Sequence, residues 1–236
     1  MQALIEVRDL HFRYDDGTVA LDGVDFDLFP GETVAVFGAN GSGKTTFALH
    51  LNGLLMGQGS VTVAGIPLRG ETVARVRQKV GLVFQDSDNQ LFMPTALEDV
   101  AFGPMNLGLA SDQAEKRALV ALEQVGMTQA AGKAPYHLSA GEKKRVAIAG
   151  ILAMQPEILV LDEPTTFLDP PGKSALLELL DALPQSKILV THDVESARVL
   201  AHRAVFFEKG RITGEGPVDQ VIARFNWDRI ALTRAR

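Results

Sequence analysis

The sequence contains no cysteine, and this absence excludes two classes of protein. A disulfide scaffold needs paired cysteines, and a thiolate metal site needs them as ligands. The five histidines do not replace them, because none stands at the paired spacing of a metal site. They are His11, His50, His137, His192 and His202. We therefore expect that the chain itself binds no transition-metal ion.

Long apolar runs and an excess of positive charge are missing as well. No stretch approaches the roughly 18 apolar residues of a membrane-spanning helix, and residues 1–6 lack the basic-then-apolar pattern of a signal peptide. The formal net charge of −6 argues against a general attraction to nucleic acid. Apolar residues make up 46% of the chain, as in globular proteins. We predict a soluble protein that binds no nucleic acid and reaches a membrane only through a partner.

Apolar segments of two kinds predict an α/β architecture. Residues 24–28 alternate with period two, which is typical of a strand with one exposed face, whereas residues 33–37 form a continuous apolar strand of the kind covered on both faces. Further strands are predicted from Ile5 to Leu10 and at 80–84, 158–161, 187–190 and 204–207. Helices are predicted at 45–51, 174–183 and 194–200. The alternation indicates a mainly parallel sheet preceded by an antiparallel β subdomain.

A helical pattern interrupts this alternation between residues 94 and 154. Ser111 is a candidate N-cap, Leu119, Leu122 and Val125 follow at helical spacing, and Gly126 is a candidate helix stop. A second helix is predicted from Ala140 to Met154. We therefore interpret residues 1–236 as one domain, with a core of residues 1–93 and 155–236 and a helical insertion at 94–154.

Residues 38–45 satisfy the phosphate-loop pattern Gly-x-x-x-x-Gly-Lys-Ser/Thr between a strand and a helix. Glycines let backbone N–H groups converge on phosphate oxygens, and the helix N-terminus adds positive potential. Lys44 is expected to reach the β- and γ-phosphates, and the Thr45 hydroxyl to contact Mg²⁺. The predicted ATP-binding residues here are Gly38, Ala39, Asn40, Gly41, Ser42, Gly43, Lys44, Thr45 and Thr46.

A second buried strand, residues 158–161, ends in Asp162 and Glu163. The carboxyl end of a sheet strand is where ligands bind in α/β folds, so Asp162 is expected to hold Mg²⁺. Glu163 follows directly and can orient and deprotonate the attacking water. In isolation an Asp-Glu pair after a strand is usually a solvated helix start. Its combination with the phosphate loop favours an ATP-hydrolysing site.

Several motifs together resemble the ATP-binding-cassette ATPases. Residues 138–142, Leu-Ser-Ala-Gly-Glu, resemble that family's signature motif, and residues 166–169 its D-loop. Gln85 resembles the Q-loop glutamine, His192 the switch histidine and Tyr14 the aromatic residue that stacks on adenine. The elements follow one another in the family's order over nearly the whole chain. In isolation Tyr14 would more often be a packing residue, and His192 a turn residue.

The resemblance implies that two chains pair head to tail around ATP. Ser139 and Gly141 would then contact the γ-phosphate bound to the other chain, with Asp169 among the nucleotide-binding residues. It assigns catalytic roles to Lys44, Gln85, Glu163 and His192, and contacts to Mg²⁺ to Thr45, Gln85 and Asp162. The sequence departs from the family's pattern at two positions of this interface between chains. Ala140 replaces the usual first glycine of the signature, and Phe167 replaces a residue that is commonly small.

Residues 85–92, Gln-Asp-Ser-Asp-Asn-Gln-Leu-Phe, are similar to the Q-loop extension of ATPases from energy-coupling-factor transporters, with Ser87 in place of the usual proline. Residues 94–108 and 141–150 are most similar to the cobalt and nickel subgroup. The resemblance implies a homodimer or a heterodimer with a paralogous ATPase, on the cytoplasmic face of a prokaryotic membrane. It further implies a membrane coupling subunit and a substrate-binding membrane subunit. Leu91, Phe92 and Met93 are expected either to contact the coupling subunit or to be core.

Three alternatives remain open. The same ATPase role could serve an importer of biotin or another vitamin, because substrate choice lies in another subunit. A non-transport cassette ATPase of DNA repair is disfavoured, because no sustained heptads separate the phosphate loop from the signature, and a translation factor because only one phosphate loop is present. A module that binds ATP without turnover is disfavoured by the presence of Glu163 and His192.

Overall fold

The computed structural model describes residues 2–228 of the chain. This part contains the strands β1 (Ile5–Arg13), β2 (Val19–Leu28), β3 (Thr33–Gly38), β4 (Gln58–Val63), β5 (Ile66–Pro67), β6 (Val80–Val83), β7 (Ile158–Asp162), β8 (Ser186–Val190), β9 (Arg203–Glu208) and β10 (Arg211–Gly216). Its α-helices are α1 (Lys44–Leu51), α2 (Val73–Lys79), α3 (Ala96–Asn106), α4 (Ser111–Gln124), α5 (Ala140–Leu152), α6 (Pro170–Ala182), α7 (Val194–Leu200) and α8 (Val218–Phe225). No helix among these residues is both long enough and apolar enough to cross a bilayer.

The strands form two sheets. An antiparallel sheet has the order β2-β1-β4-β5, and a six-stranded sheet has the order β10-β9-β3-β8-β7-β6. In the larger sheet every pair from β9 to β6 is parallel, and only β10 runs antiparallel to its neighbour. The carboxyl ends of β3, β6, β7 and β8 therefore meet at one edge, where open α/β sheets bind ligands. The predicted fold class, an α/β core with an antiparallel β subdomain and a helical insertion, is confirmed.

Strand β7 shows why a continuous apolar segment suits the centre of this sheet. Ile158 and Val160 point into the core shared with the antiparallel sheet and α1, whereas Leu159 and Leu161 point into the core under the helical segment. All four side chains are fully buried. Full burial of each such side chain stabilises the fold by roughly 1.5–3 kcal/mol. The strand that ends in Asp162 is therefore fixed from both faces.

The helical segment between β6 and β7 follows the sequence pattern, apart from one helix cap and one exposed leucine. Gly126 has φ +70°, a conformation that costs glycine little, so the predicted helix stop is confirmed. The predicted N-cap at Ser111 is wrong: Ser111 is the first residue of α4, and Ala110 occupies the cap position. A capping side chain must stand on the residue before the helix, and Ser111 stands inside it. Leu119, expected on the buried face, is 39% exposed.

Helix α6 begins four residues earlier than residue 174, where the sequence predicted it, at Pro170. The Asp169 side chain accepts a hydrogen bond from the Gly172 N–H at 2.9 Å and so caps the helix. The two prolines after Asp169 fit the first turn, because the amides they lack would have no partner there. Pro170 and Pro171 therefore belong to the first turn of α6.

The turn between β9 and β10 braces the segment that follows β3. Lys209 and Gly210 both have positive φ, 51° and 78°, as a two-residue hairpin turn requires. The Gly210 N–H donates to the Ser42 carbonyl at 2.9 Å. Next to it, the Arg211 guanidinium lies 2.6 Å from a carboxylate oxygen of Asp22. This hairpin therefore holds residues from two distant parts of the chain.

Candidate functional site

The phosphate loop joins β3 to α1, and two of its glycines are required by contact with neighbouring backbone. At Gly38, with φ +144°, a Cβ atom would collide with the Phe207 carbonyl oxygen, and at Gly43, with φ +110°, with the Ala20 carbonyl oxygen. Gly43 is the N-cap of α1, and no side chain among residues 2–228 caps this end. The first amides of α1, together with the helix dipole, therefore favour an anion such as phosphate.

A cleft of about 770 Å³ opens along the loop, and we call it the nucleotide cleft. It is lined by Gly38, Asn40, Gly41, Gly43, Lys44, Thr45 and Thr46 of the phosphate loop and α1. Outside the loop, the predicted residues Tyr14, Gln85, Asp162, Glu163 and His192 also line it. Of the predicted loop residues only Ala39 and Ser42 do not line it, and Ser42 is buried. One cavity thus collects residues from six separate parts of the chain, the sixth being Trp227.

The floor of the cleft is polar and is formed by Lys44, Thr45 and Asp162. The Lys44 ammonium donates to the carbonyls of Gly38 at 2.6 Å and Ala39 at 2.9 Å, and the Thr45 hydroxyl donates to Asp162 Oδ2 at 3.0 Å. Burial lowers the pKa of Lys44 and raises that of Asp162. A buried carboxylate beside a hydroxyl supplies the hard oxygen donors that Mg²⁺ prefers, so this donor set fits that ion.

Glu163 is held in a strained but well-supported position. Its φ is +46°, an uncommon value for a residue with a side chain, and strain of this kind clusters at functional sites. Its Oε2 accepts from the Thr191 hydroxyl at 3.2 Å and lies 2.9 Å from His192 Nδ1. The Glu163 side chain is 12% exposed and that of His192 66%. A carboxylate held from one side in this way can accept a proton from a water molecule in the cleft.

Gln85 follows the edge strand β6, and two other side chains fix the backbone beside it. The Gln90 amide accepts from the Phe84 N–H at 2.8 Å and donates to the Leu82 carbonyl at 3.2 Å, as a neighbouring strand would. Lys144 of α5 donates to the carbonyls of Phe84 and Gln85, at 3.1 and 2.6 Å. The position of Gln85 in the cleft is therefore set by its neighbours and not by a regular sheet.

Tyr14 stands at the mouth of the cleft and is 40% exposed. Its ring packs edge-on against Phe12, with ring centroids 5.0 Å apart, and its hydroxyl lies 2.9 Å from Thr46 Oγ1. The ring is thus anchored at both ends while part of its surface faces solvent. A base stacked on it stays a prediction.

The signature residues lie outside the nucleotide cleft. The Ser139 hydroxyl accepts from the Glu142 N–H at 3.3 Å, and the Glu142 carboxylate accepts from the Ser139 N–H at 2.8 Å, a capping box at the start of α5. Ser139, Gly141, Phe167 and Asp169 line a separate cavity of about 480 Å³. Phe167 is 78% exposed and has φ +67°. Within the described chain the predicted site therefore falls into two separate parts.

Several residues in or beside the site were not predicted from the sequence. Trp227 lines the cleft beyond α8, Thr191 bonds to Glu163, and Lys144 bonds to the Gln85 carbonyl. Thr191 directly precedes His192, so its place beside the cleft had a sequence signal. Lys144 and Trp227 had none, because only the fold brings them to the site.

The fold and the site together define a P-loop nucleoside triphosphatase whose helical segment carries a capped Ser139 motif. The family model of the ABC transporter matches residues 21–166, a range that includes the phosphate loop, Gln85, Ser139 and Glu163. The chain belongs to the ABC transporter family, as its ATP-hydrolysing cassette.

Curated relatives and solved structures agree with this family. The energy-coupling factor transporter ATP-binding protein EcfA of Methanocaldococcus jannaschii is 48% identical, over 93% of this chain and 81% of its own length. The solved structure of cbiO1 from Clostridium perfringens, part of the ABC transporter complex cbiONQ, is 36% identical, with a TM-score of 0.85, over 95% of this chain and 92% of that chain. The dimeric cassette MJ0796 bound to ADP and Pi is 29% identical, with a TM-score of 0.81, over 91% and 98%.

Proposed function

We propose that this chain is the ATPase subunit of an energy-coupling-factor importer and that two such chains share each ATP. The separation of the site into two parts carries the proposal. The nucleotide cleft holds Lys44 and Glu163, while Ser139 and Gly141 line another cavity of the same chain. A head-to-tail pair, either two copies or a copy and a paralogous ATPase, brings one chain's signature to the other's phosphate. The dimeric MJ0796 cassette with ADP and Pi supports this arrangement.

Within the cleft each residue takes the role that its position allows. Lys44 and the amides at the start of α1 hold the β- and γ-phosphates, and the Tyr14 ring stacks on adenine. Thr45, Asp162 and Gln85 would hold Mg²⁺, which neutralises phosphate charge when bound. Glu163 accepts the proton of the attacking water, and His192, beside it at 2.9 Å, orients that water and the γ-phosphate.

Across the dimer, Ser139, Gly141 and Asp169 complete the second half of each site. The Ser139 hydroxyl and the Gly141 N–H lie at the N-terminus of α5, whose dipole favours the charge that develops on the phosphate. Residues 1–236 act in this proposal as one domain, with the core at 1–93 and 155–236 and the insertion at 94–154. Residues 229–236 lie outside the described part of the chain.

The membrane coupling subunit docks, in this proposal, in an apolar groove of about 400 Å³ between β6, α3 and α5. Leu91 is partly buried and packs against the helical core, which agrees with its reading as core. Phe92 is 63% exposed and stacks edge-on with Phe102, which leaves an aromatic pair on the rim of the groove. A helix of the coupling subunit laid in this groove would cover that pair and place the ATPase on the cytoplasmic face of the membrane.

The cargo we propose is cobalt or nickel, carried by a separate membrane subunit. The similarity of residues 94–108 and 141–150 to the cobalt and nickel subgroup supports it, as does the structural likeness to cbiO1 of the cbiONQ complex. An importer of biotin or another vitamin is the alternative, which the EcfA relatives fit equally. Uptake of labelled cobalt, nickel and biotin by cells that produce the chain with its genomically neighbouring membrane subunits would separate the two.

Glu163→Gln tests the enzymatic core of the proposal. The variant keeps the shape of the cleft but cannot accept a proton, so we expect normal ATP binding, phosphate release lowered by at least about 100-fold, and a stable dimer in Mg²⁺ and ATP. Size-exclusion chromatography and a phosphate-release assay measure both. Glu157→Gln, at a solvent-exposed carboxylate just before β7, is the matched control and should behave as the wild type. Near-normal turnover by Glu163→Gln would remove Glu163 as the base.

A further inference from the structure

Helix α5 is tied to the segment after β6 by two consecutive lysines. Lys144 Nζ donates to the carbonyls of Phe84 and Gln85, and Lys143 Nζ lies 2.6 Å from Asp88 Oδ1. The Lys143 pair is partly exposed, so screening by solvent limits its contribution to stability. Lys144 differs, because only 3% of its surface is exposed. The contact between α5 and the Gln85 backbone therefore depends chiefly on Lys144.

Burial makes a lysine costly at this position. Desolvation lowers the pKa of Lys144 to about 8, although Asp86 and Asp162 favour its charged form. A buried ammonium is tolerated only when its hydrogen bonds are made, and a methionine would fill a similar volume without that cost. Packing alone therefore does not account for Lys144. Its two hydrogen bonds to the carbonyls of Phe84 and Gln85 account for a buried lysine at this position.

We propose that Lys144 is a positioning residue that fixes Gln85 relative to the signature residues Ser139 and Gly141. Lys144 stands in the second turn of α5, and Ser139 caps the first. One turn of helix is rigid, so the Gln85 carbonyl and the Ser139 hydroxyl keep a constant separation while the Lys144 bonds persist. The side chain thus joins the two halves of the site, one in the nucleotide cleft and one that faces the second chain. The inference rests on the proposed function for the roles of Gln85 and Ser139.

Lys144→Met is the test variant, and the chain offers a matched control. Lys187 is 5% exposed, its pKa is also lowered by burial, and its ammonium donates to the carbonyls of Leu183 and Gln185 at 2.6 and 2.9 Å. It does not line the nucleotide cleft. Both Lys→Met variants remove a buried lysine with two carbonyl bonds, so both should lose similar stability in urea denaturation. Only one of them touches Gln85.

We expect Lys144→Met to lower kcat for ATP hydrolysis by roughly 10- to 100-fold, because a displacement of about 1 Å at a reacting centre has that effect. Its Kd for Mg-ATP should stay within about threefold of the wild type, since the phosphate loop is intact. Lys187→Met should keep the wild-type kcat. All rates are measured at saturating protein and well below the unfolding temperature of the least stable variant. An equal loss of kcat in both lysine variants, or none in either, would overturn the inference.

A double-mutant cycle with Gln85→Ala separates positioning from a general effect on the helix. If Lys144 acts through the Gln85 side chain, Lys144→Met should not lower kcat further once that side chain is absent. Independent, multiplying losses would mean that Lys144 does not act through Gln85, and the inference would fail. A different result would contradict the proposed two-chain site: hydrolysis by the dilute wild-type monomer at the full rate. The double-mutant cycle is interpretable whether or not two chains share the site, because it compares kcat values among variants only.

Discussion

At the residue scale, the Thr191 hydroxyl is the least expected part of the catalytic arrangement. Thr191 is fully buried; its hydroxyl donates to Glu163 Oε2 at 3.2 Å and accepts from the Asp193 N–H at 3.0 Å. The same oxygen therefore supports the strained glutamate and the turn that carries His192. Such a group touches no substrate and acts by holding the residue that does.

Thr191→Val keeps the shape of the side chain and removes both hydrogen bonds. We expect kcat to fall by roughly tenfold because Glu163 gains freedom, and stability to fall by about 1–3 kcal/mol because the Asp193 amide loses its acceptor. Thr191→Ser keeps the hydroxyl and should restore most of kcat. Steady-state phosphate release and urea denaturation measure the two effects. Equal kcat values for the Val and Ser variants would rule out a positioning role for the hydroxyl.

At the scale of the element, two helices of the insertion begin in the same way. Thr95 and Glu98 form a capping box on α3, and Ser139 and Glu142 form one on α5. The local physics is the same, and each cap should contribute about 1 kcal/mol. Only the α5 cap, in the proposed dimer, also meets a phosphate. A comparison of the two caps therefore separates the structural role of Ser139 from its functional role.

Thr95→Ala and Ser139→Ala should each lower the free energy of unfolding by about 1 kcal/mol, as measured by urea denaturation. Ser139→Ala should in addition lower kcat at saturating protein by roughly tenfold or more, through loss of a donor to the γ-phosphate. Thr95→Ala should leave kcat unchanged. If both variants lose stability and neither loses turnover, Ser139 is only a helix cap.

The sequence predicted the elements that have a continuous local pattern and misplaced the starts of two helices. Strand β7 and the phosphate loop were predicted closely, because continuous apolar residues and required glycines show in the sequence itself. The start of α6 was predicted four residues late, because Pro170 and Pro171 lie inside its first turn, where Asp169 caps the helix. The Ser111 cap was wrong because propensity does not fix a helix start to one residue.

The candidate site contains residues that belong to sequence motifs and residues that only the fold brings to it. Lys44 and Asp162 were found from their motifs and His192 from the family resemblance, and the fold brings all three into one cleft. Lys144 and Gln90 were missed as partners of the loop at Gln85. Their bonds depend on where an edge strand ends and on which turn of α5 passes it. No spacing within the sequence predicts this contact between α5 and the end of β6.

At the scale of the whole molecule, the split site makes activity a property of the pair. We expect phosphate release per chain to rise steeply with protein concentration and to level off once the dimer is saturated. Adding the membrane partner should shift that rise to lower concentration by holding two chains together. Stopped-time phosphate assays over a dilution series measure it. A rate per chain that is constant down to the dilute monomer would contradict a shared site.

The hairpin turn at Lys209 and Gly210 has a consequence for how this chain tolerates change. The Gly210 N–H bonds to the Ser42 carbonyl, and Arg211 ties the same hairpin to Asp22. The shape of the phosphate loop is thus maintained in part by residues that lie far from it along the chain. We expect a substitution at Gly210, where a Cβ atom would lie 2.9 Å from the Ala20 carbonyl oxygen, to weaken nucleotide affinity without altering any residue that contacts a phosphate. A change far from the cleft would then alter ATP binding through the backbone of the loop.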